Sequence, residues 1–183
     1  MTVLDTKVER GNQLRNLSIL IVLSALGGLT SVPVGYAGSF FSALALFPLA
    51  VSQLFAGFHV FWLVLAALMV RTRVSAIIAG ALKGLIEAAF FSHLGIFAFV
   101  VSLLEGVVVD LIFVLIEKNS LIAVYLAGGF SSASNLLVVQ FFLAPQFSFV
   151  IYALGYGTAF ASGLLFGGYL SAKVFRVLPK HWL

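Results

Sequence analysis

Four ionisable side chains interrupt the long apolar runs in the middle of the chain, namely Lys83, Glu87, Glu105 and Asp110. Each costs roughly several kcal/mol inside hydrocarbon unless it has a partner or a wet cavity. Lys83 and Glu87 are four residues apart, so on a helix they share one face and can form an ion pair. Glu105 and Asp110 are five apart, about 140° around a helix, so we expect that they do not both face the helix that carries Lys83.

Three carboxylates and one ammonium leave an excess of buried acid, which a cationic or amino-bearing ligand could neutralise. The same charges could instead only pair with one another and fix the register of the helices, and the sequence leaves both readings open. Counted along the helices, further polar side chains reach the depth of the two glutamates. The predicted substrate-binding set is therefore Lys83, Glu87, Glu105, Asn135, Gln53 and Tyr152.

The sequence contains no motif that is typical of catalysis or metal binding. The three histidines at 59, 93 and 181 lie on separate elements without the spacing of a metal site, and we interpret His59 as a packing residue beside Trp62. There is no cysteine, which excludes a thiolate nucleophile and a Cys-ligated metal, and no nucleophile-elbow or phosphate-loop motif is present. We therefore predict a protein that is not an enzyme and has no metal or cofactor.

The composition indicates the medium in which these residues lie. Of the 183 residues 62% are apolar and 9% are charged, and the mean hydropathy is +1.19. Soluble domains are about 25% charged, so this chain cannot cover a water-exposed surface, and it is neither a soluble globular domain nor a nucleic-acid-binding module. A bilayer core takes about 20 residues per helix.

Apolar runs of that length predict an all-α, polytopic membrane protein, a compact bundle of six transmembrane helices forming a single domain over 1–183. The predicted helices cover about 14–30, 51–70, 74–92, 94–116, 121–143 and 147–175, with an uncharged, lid-like outer loop at 31–48. Nine of the ten Lys and Arg residues fall in the N-terminal arm, at 71–73, at 118 and in the C-terminal tail. Because positive residues mark the cytoplasmic side, both termini are predicted to be cytoplasmic.

Small residues on the first predicted helix suggest a contact surface. Ser24 and Gly28 are four residues apart, a spacing that lets helices approach closely. The rest of this helix is almost purely aliphatic. We therefore expect Ser24 and Gly28 to face a partner protein.

The middle of the chain resembles a known family over about residues 50–130. The matching features are the break at Arg71, the stretch 85–89 with Ser92 and Gly95 after it, the stretch 104–106, and the stretch 110–113. These are similar to the substrate-binding S components of energy-coupling factor (ECF) vitamin transporters, and within them to the YkoE-like, hydroxymethylpyrimidine- and thiamine-related branch.

The resemblance implies a binder that does no chemistry and lies in a prokaryotic cytoplasmic membrane. Such a subunit takes a vitamin or vitamin precursor from outside, here a thiamine-related pyrimidine. It works with a transmembrane coupling protein and two cytosolic ATPase subunits. A stand-alone secondary carrier and a non-catalytic membrane scaffold remain as alternatives.

Overall fold

The computed structural model describes residues 3–70, 72–90, 95–117, 120–143 and 146–179, with side chains from residue 11 onward except at 143. The described residues form helices and no strands, which confirms the predicted all-α class. The helices are α1 (Val3–Ala43), α2 (Pro48–Gln53), α3 (Ala56–Met69), α4 (Ser75–Ala89), α5 (Ile96–Leu115), α6 (Leu121–Val138), α7 (Phe149–Ser162) and α8 (Ser171–Val177). Two π-helical segments continue this pattern, Val139–Leu143 after α6 and Gly163–Leu170 between α7 and α8.

The first helix is longer than predicted, and most of the predicted outer loop at 31–48 is helical. Helix α1 spans 41 residues and continues through Pro33 to Ala43. Proline removes one backbone N–H, but apolar membrane helices tolerate it because neighbouring side chains satisfy the freed backbone groups. The hydroxyls of Thr30 and Ser31 donate to the carbonyls of Leu26 and Gly27, one turn earlier, and so add bonds within α1 just before Pro33, although they do not reach the Leu29 carbonyl that the proline leaves without its N–H donor. Proline and glycine therefore do not end this helix.

The second predicted helix, 51–70, is interrupted. Its first turn is α2, and a break at Leu54 and Phe55 separates it from α3. The side chain of Ser162 on α7 satisfies backbone groups at this break, because its hydroxyl donates to the carbonyl of Leu54 (2.6 Å) and accepts from the N–H of Gly57 (3.0 Å).

Helix α3 is the centre of the core. Its middle residues Leu63, Val64, Ala66 and Ala67 are fully buried. A helix that is apolar all round is buried on all sides, and α3 packs against α1, α4, α5, α6, α7 and α8.

Glycines let neighbouring helices come into direct backbone contact. A Cβ atom on Gly80 of α4 would collide with the backbone oxygen of Ser102 on α5, and one on Gly128 of α6 would collide with the backbone oxygen of Gly163. Close approach of this kind is typical of membrane helices, whose association depends on packing.

The expectation for Ser24 and Gly28 is wrong, because both face α4 inside the protein. The Ser24 hydroxyl donates to the carbonyl of Ala79 on α4 (3.1 Å) and is buried. A Cβ on Gly28 would lie 2.6 Å from a methyl carbon of Ile86, also on α4. The spacing correctly marks a close helix contact, but the contact lies within the chain, so neither residue is accessible to a partner.

Within the described residues, five helical stretches are long and apolar enough to cross a membrane: Gly11–Ala43, Pro48–Met69, Ile96–Leu115, Leu121–Phe142 and Phe149–Val177. Helix α4, predicted at 74–92, spans 15 residues and carries the buried Lys83 and Glu87. The outward faces are aliphatic, as at Leu17 and Val22 of α1. The cytoplasmic location of the termini stays a prediction.

Candidate functional site

A charged cluster is buried between α4 and α5. The ammonium of Lys83, 1% exposed, lies 2.7 Å from Oε1 of Glu87, one turn later on the same helix. Lys83 also donates to the hydroxyl of Ser102 on α5 (2.9 Å), and that hydroxyl donates to Oε2 of Glu87 (2.7 Å). The three side chains form a closed polar triangle, which is what a buried ion pair needs to offset its desolvation.

Glu105 connects this triangle to α6. Its side chain is completely buried, with Oε2 4.0 Å from the ammonium of Lys83. Its other oxygen, Oε1, accepts a hydrogen bond from the amide nitrogen of Asn135 (3.3 Å). The hydroxyl of Ser131 donates to the backbone oxygen of Glu105 (2.9 Å), which holds α5 and α6 together at this level.

Asp110 contacts the start of α4, away from this cluster. Its Oδ2 accepts from the backbone N–H of Ile77 in the first turn of α4 (2.9 Å), one of the donors that a helix start leaves unpaired. Asp110 and Glu105 therefore both reach groups of α4, and the expectation that they do not is wrong. The helices approach so closely at Gly80 that a broad face of α5 contacts α4.

A cavity of about 190 Å³ lies next to the charged cluster. Its walls come from the C-terminal part of α1 at Val34 and Ser39, from the end of α2 and start of α3, and from the end of α6. The lining residues are Val34, Gly35, Gly38, Ser39, Leu49, Ser52, Gln53, Phe55, Ala56, His59, Asn135 and Val139. The segment predicted to be a lid-like loop thus covers the cavity as a helix.

Two polar side chains link the cavity to the buried charges. Nδ1 of His59 lies 3.6 Å from Oε1 of Glu87. Asn135 lines the cavity and donates to Glu105. A ligand in the cavity would therefore touch His59 and Asn135 directly and reach Glu87 and Glu105 only through them.

Gln53 is a third polar side chain of the cavity wall, and unlike the half-buried His59 and Asn135 it is buried. It is 6% exposed, and its Oε1 has no hydrogen-bond partner. A buried amide oxygen without a partner costs about 1–3 kcal/mol. The cost can be recovered when a ligand supplies a donor.

The structure brings most of the predicted set together. Gln53 and Asn135 line the cavity, and Lys83, Glu87 and Glu105 lie behind its wall. Tyr152 is buried on α7, 6.2 Å from the ring of Phe147 by centroids, and is not among the lining residues.

Sequence reasoning missed the part of His59 in this site. A single histidine in an apolar helix carries no spacing signal, and its neighbour Glu87 belongs to another helix. Within the described ranges no group of three or more His, Cys, Asp or Glu side chains is arranged to hold a metal ion. In the charged cluster the position between the carboxylates is taken by the ammonium of Lys83.

The chain is similar to known transport proteins. Residues 15–134, about two thirds of the chain, match the model of a family described as "ABC-type cobalt transport system, permease component". A solved structure titled "Crystal structure of an S-component of ECF transporter" superposes with a TM-score of 0.80 at 20% identity, over 88% of this chain and 82% of that one. At that identity the likeness establishes the fold. No curated protein matches the chain in sequence.

Proposed function

The chain belongs to the family of permease components of ABC-type cobalt transport systems, and we propose that it is the membrane-embedded, substrate-binding S component of an ECF-type importer. It is a multi-pass protein of the cell membrane. A subunit of this kind binds and delivers its cargo and performs no catalysis. The observation that carries the proposal is the cavity, whose buried polar lining is backed by charged groups in an otherwise apolar bundle.

We further propose that the cargo is a small amino-bearing heterocycle such as a thiamine-related pyrimidine. Pockets for drug-sized ligands measure about 300–1,000 Å³, so a cavity of about 190 Å³ suits a molecule with a single ring. The amide of Gln53 can pair with an aminopyrimidine edge, because its oxygen accepts from the amino group while its nitrogen donates to a ring nitrogen. The aromatic ring of Phe55 supplies an apolar wall.

Cobalt(II) is the second candidate cargo, since the description of the matching family names it. His59 and the carboxylates of Glu87 and Glu105 are donors that divalent cobalt accepts. Lys83 opposes this, because its ammonium lies 2.7 Å from Glu87 and 4.0 Å from Glu105 and repels a second cation there. The structure therefore favours the organic cargo.

Partners follow from the proposal. S components of ECF transporters work with a transmembrane coupling protein and two cytosolic ATPase subunits, and we expect the same for this chain. The outward face of α1, with Leu17, Ile21 and Val22 about half exposed, is available for such a contact within the membrane. A secondary carrier would transport without these partners, and a scaffold would bind no cargo.

The test is ligand binding by the purified protein in lipid nanodiscs. The probes are 4-amino-5-hydroxymethyl-2-methylpyrimidine and cobalt(II) chloride, measured by isothermal titration calorimetry and thermal shift. Asn135→Leu removes a polar group of the cavity wall, and Asn12→Leu makes the same change at an exposed position of α1 outside the cavity.

We expect the pyrimidine to bind, and Asn135→Leu to weaken it about five- to tenfold, the value of one hydrogen bond of about 1 kcal/mol. Asn12→Leu should bind as the unchanged chain does. If cobalt(II) binds and the pyrimidine does not, the proposed organic cargo is wrong and the cargo is the metal. Binding of neither would overturn the substrate-binding function and favour a scaffold.

A further inference from the structure

Apart from the amide of Gln53, the polar side chains around the cavity mainly offer acceptors to a ligand or lie in front of carboxylates. Nδ1 of His59 lies 3.6 Å from Oε1 of Glu87, so a carboxylate oxygen, which can only accept, stands behind this part of the wall.

Asn135 follows the same rule. Its amide nitrogen donates to Oε1 of Glu105 at 3.3 Å, so the nitrogen is committed behind the cavity wall. The amide oxygen is the atom that remains for a ligand. An amide oxygen can only accept.

The two serines of the cavity wall also offer acceptors. The hydroxyl of Ser39 donates to the carbonyl of Gly35 (3.0 Å), and the hydroxyl of Ser52 donates to the carbonyl of Leu49 (2.8 Å). Both hydrogens are used within their own helix. Only oxygen lone pairs are left to face a ligand.

Gln53 can offer a ligand both a donor, its amide nitrogen, and an acceptor, its Oε1. That Oε1 is buried without a partner among the described residues, so no donor of the wall reaches it. Among the described residues no Lys or Arg lines the cavity, and the ammonium of Lys83 behind the wall is held by Glu87 and Ser102. An anion entering this cavity would lose its hydration and meet acceptor atoms with two carboxylates behind them.

We infer that the cavity selects ligands that present N–H or O–H donors, neutral or cationic, and rejects anionic forms such as phosphate esters. This inference rests on the proposed function and names the charge class of its cargo. It implies that a vitamin precursor enters without its phosphate, so any phosphorylation takes place after import.

Three ligands that differ at a single group test the inference. They share the 4-amino-2-methylpyrimidine ring and carry hydroxymethyl, aminomethyl or phosphate-ester substituents at position 5, which are neutral, cationic and anionic at pH 7.5. Dissociation constants are measured by calorimetry on the full chain in nanodiscs. We expect the aminomethyl form to bind at least as tightly as the hydroxymethyl form, and the phosphate ester at least about a hundredfold more weakly.

A charge added to the cavity wall should change this preference. Ser39→Lys places an ammonium at an exposed position that lines the cavity, so the chain should fold and the preference against the phosphate ester should fall at least about tenfold. Ser18→Lys is the matched control, because Ser18 is also exposed on α1 and its hydroxyl also bonds a carbonyl one turn earlier. It should leave the preference unchanged.

The outcomes separate the two proposals. Phosphate-ester binding as tight as that of the hydroxymethyl form would overturn the inference and leave the substrate-binding function standing. An equal effect of Ser18→Lys and Ser39→Lys would also overturn it, because the cavity wall would then not decide the preference. Absence of binding by all three ligands would overturn the proposed organic cargo, and the inference with it.

Discussion

Replacing Glu87 by glutamine should destabilise the protein strongly even without a ligand. The ammonium of Lys83 is 1% exposed and lies 2.7 Å from the carboxylate of Glu87, which it would lose. Removing one partner of a buried ion pair costs about 3–5 kcal/mol, because the other charge remains buried without compensation. The hydroxyl of Ser102 is a neutral acceptor and cannot replace the lost charge.

Glu105→Gln should cost clearly less. Oε2 of Glu105 is 4.0 Å from the same ammonium and accepts no hydrogen bond, and a glutamine oxygen can keep the bond from Asn135. The comparison between the two substitutions therefore tests which carboxylate holds Lys83. Both change the charge by the same amount at buried positions, so a general effect of charge would affect them equally.

The assay is thermal and denaturant unfolding of ligand-free protein in detergent, followed by tryptophan fluorescence. Lys83→Met in the Glu87→Gln, Glu105→Gln background should recover most of the loss shown by that double variant, because the ammonium and both carboxylates that face it are then all removed and the cluster holds no unpaired ion. Glu117→Gln, at an exposed position, is the control and should change stability by less than about 0.5 kcal/mol.

Equal stability of Glu87→Gln and the unchanged chain would refute the reasoning, since Lys83 would then be satisfied by Glu105. Failure of Lys83→Met to recover stability would refute it too. In that case the loss would come from packing around Glu87 and not from the unpaired ammonium.

Two further predictions concern topology and packing. Cysteine at Gln146 should react with a membrane-impermeant maleimide added to whole cells, because the loops without Lys or Arg are predicted to lie outside. Cysteine at Thr72 or Glu117 should react only after permeabilisation. Labelling of the cysteine at Thr72 in intact cells would refute the topology. Gly80→Ala should lower the melting temperature, because the added methyl group would collide with backbone of α5, whereas Gly157→Ala meets nothing within 4 Å and should leave it unchanged or slightly raised. Equal melting temperatures of the two variants would refute the close contact.

The helices themselves were largely predictable from the sequence. The runs predicted at 94–116 and 121–143 are found at Ile96–Leu115 and at Leu121–Val138 with its π-helical continuation. In hydrocarbon an apolar run of this length must form a helix, since every backbone group must find its hydrogen-bond partner within the segment. Composition alone therefore determines these elements.

The outer segment at 31–48 was not predictable in the same way. Pro33, Gly35 and Gly38 are turn signals in water, where an interrupted helix can bond to solvent. In α1 the same residues lie within a helix, because an apolar surrounding offers the backbone no alternative partner. Whether a proline ends a helix thus depends on the surrounding medium, and a local sequence pattern carries no information about that medium.

The candidate site was predictable only where its contacts are local. The pairing of Lys83 with Glu87 follows from four-residue spacing on one helix. Two other contacts, from Asn135 to Glu105 and from His59 to Glu87, join separate helices. They depend on how those helices are rotated and aligned, which cannot be read from spacing along the chain. Depth counting placed Asn135 and Glu105 at one level but could not show which of the polar groups line the cavity.

The cavity lies where the regular helices are interrupted. The break between α2 and α3 at Leu54 and Phe55 lies beside Gln53 and His59, and the change from α to π geometry begins at Val139, one turn after Asn135. Irregular backbone at membrane depth is tolerated where protein groups satisfy it or where it lines a cavity, and here Ser162 bonds both Leu54 and Gly57. Gln53 is the last residue of α2 and His59 lies in the first turn of α3, so these two lining side chains stand on either side of the break. The irregular backbone therefore belongs to the wall of the candidate site.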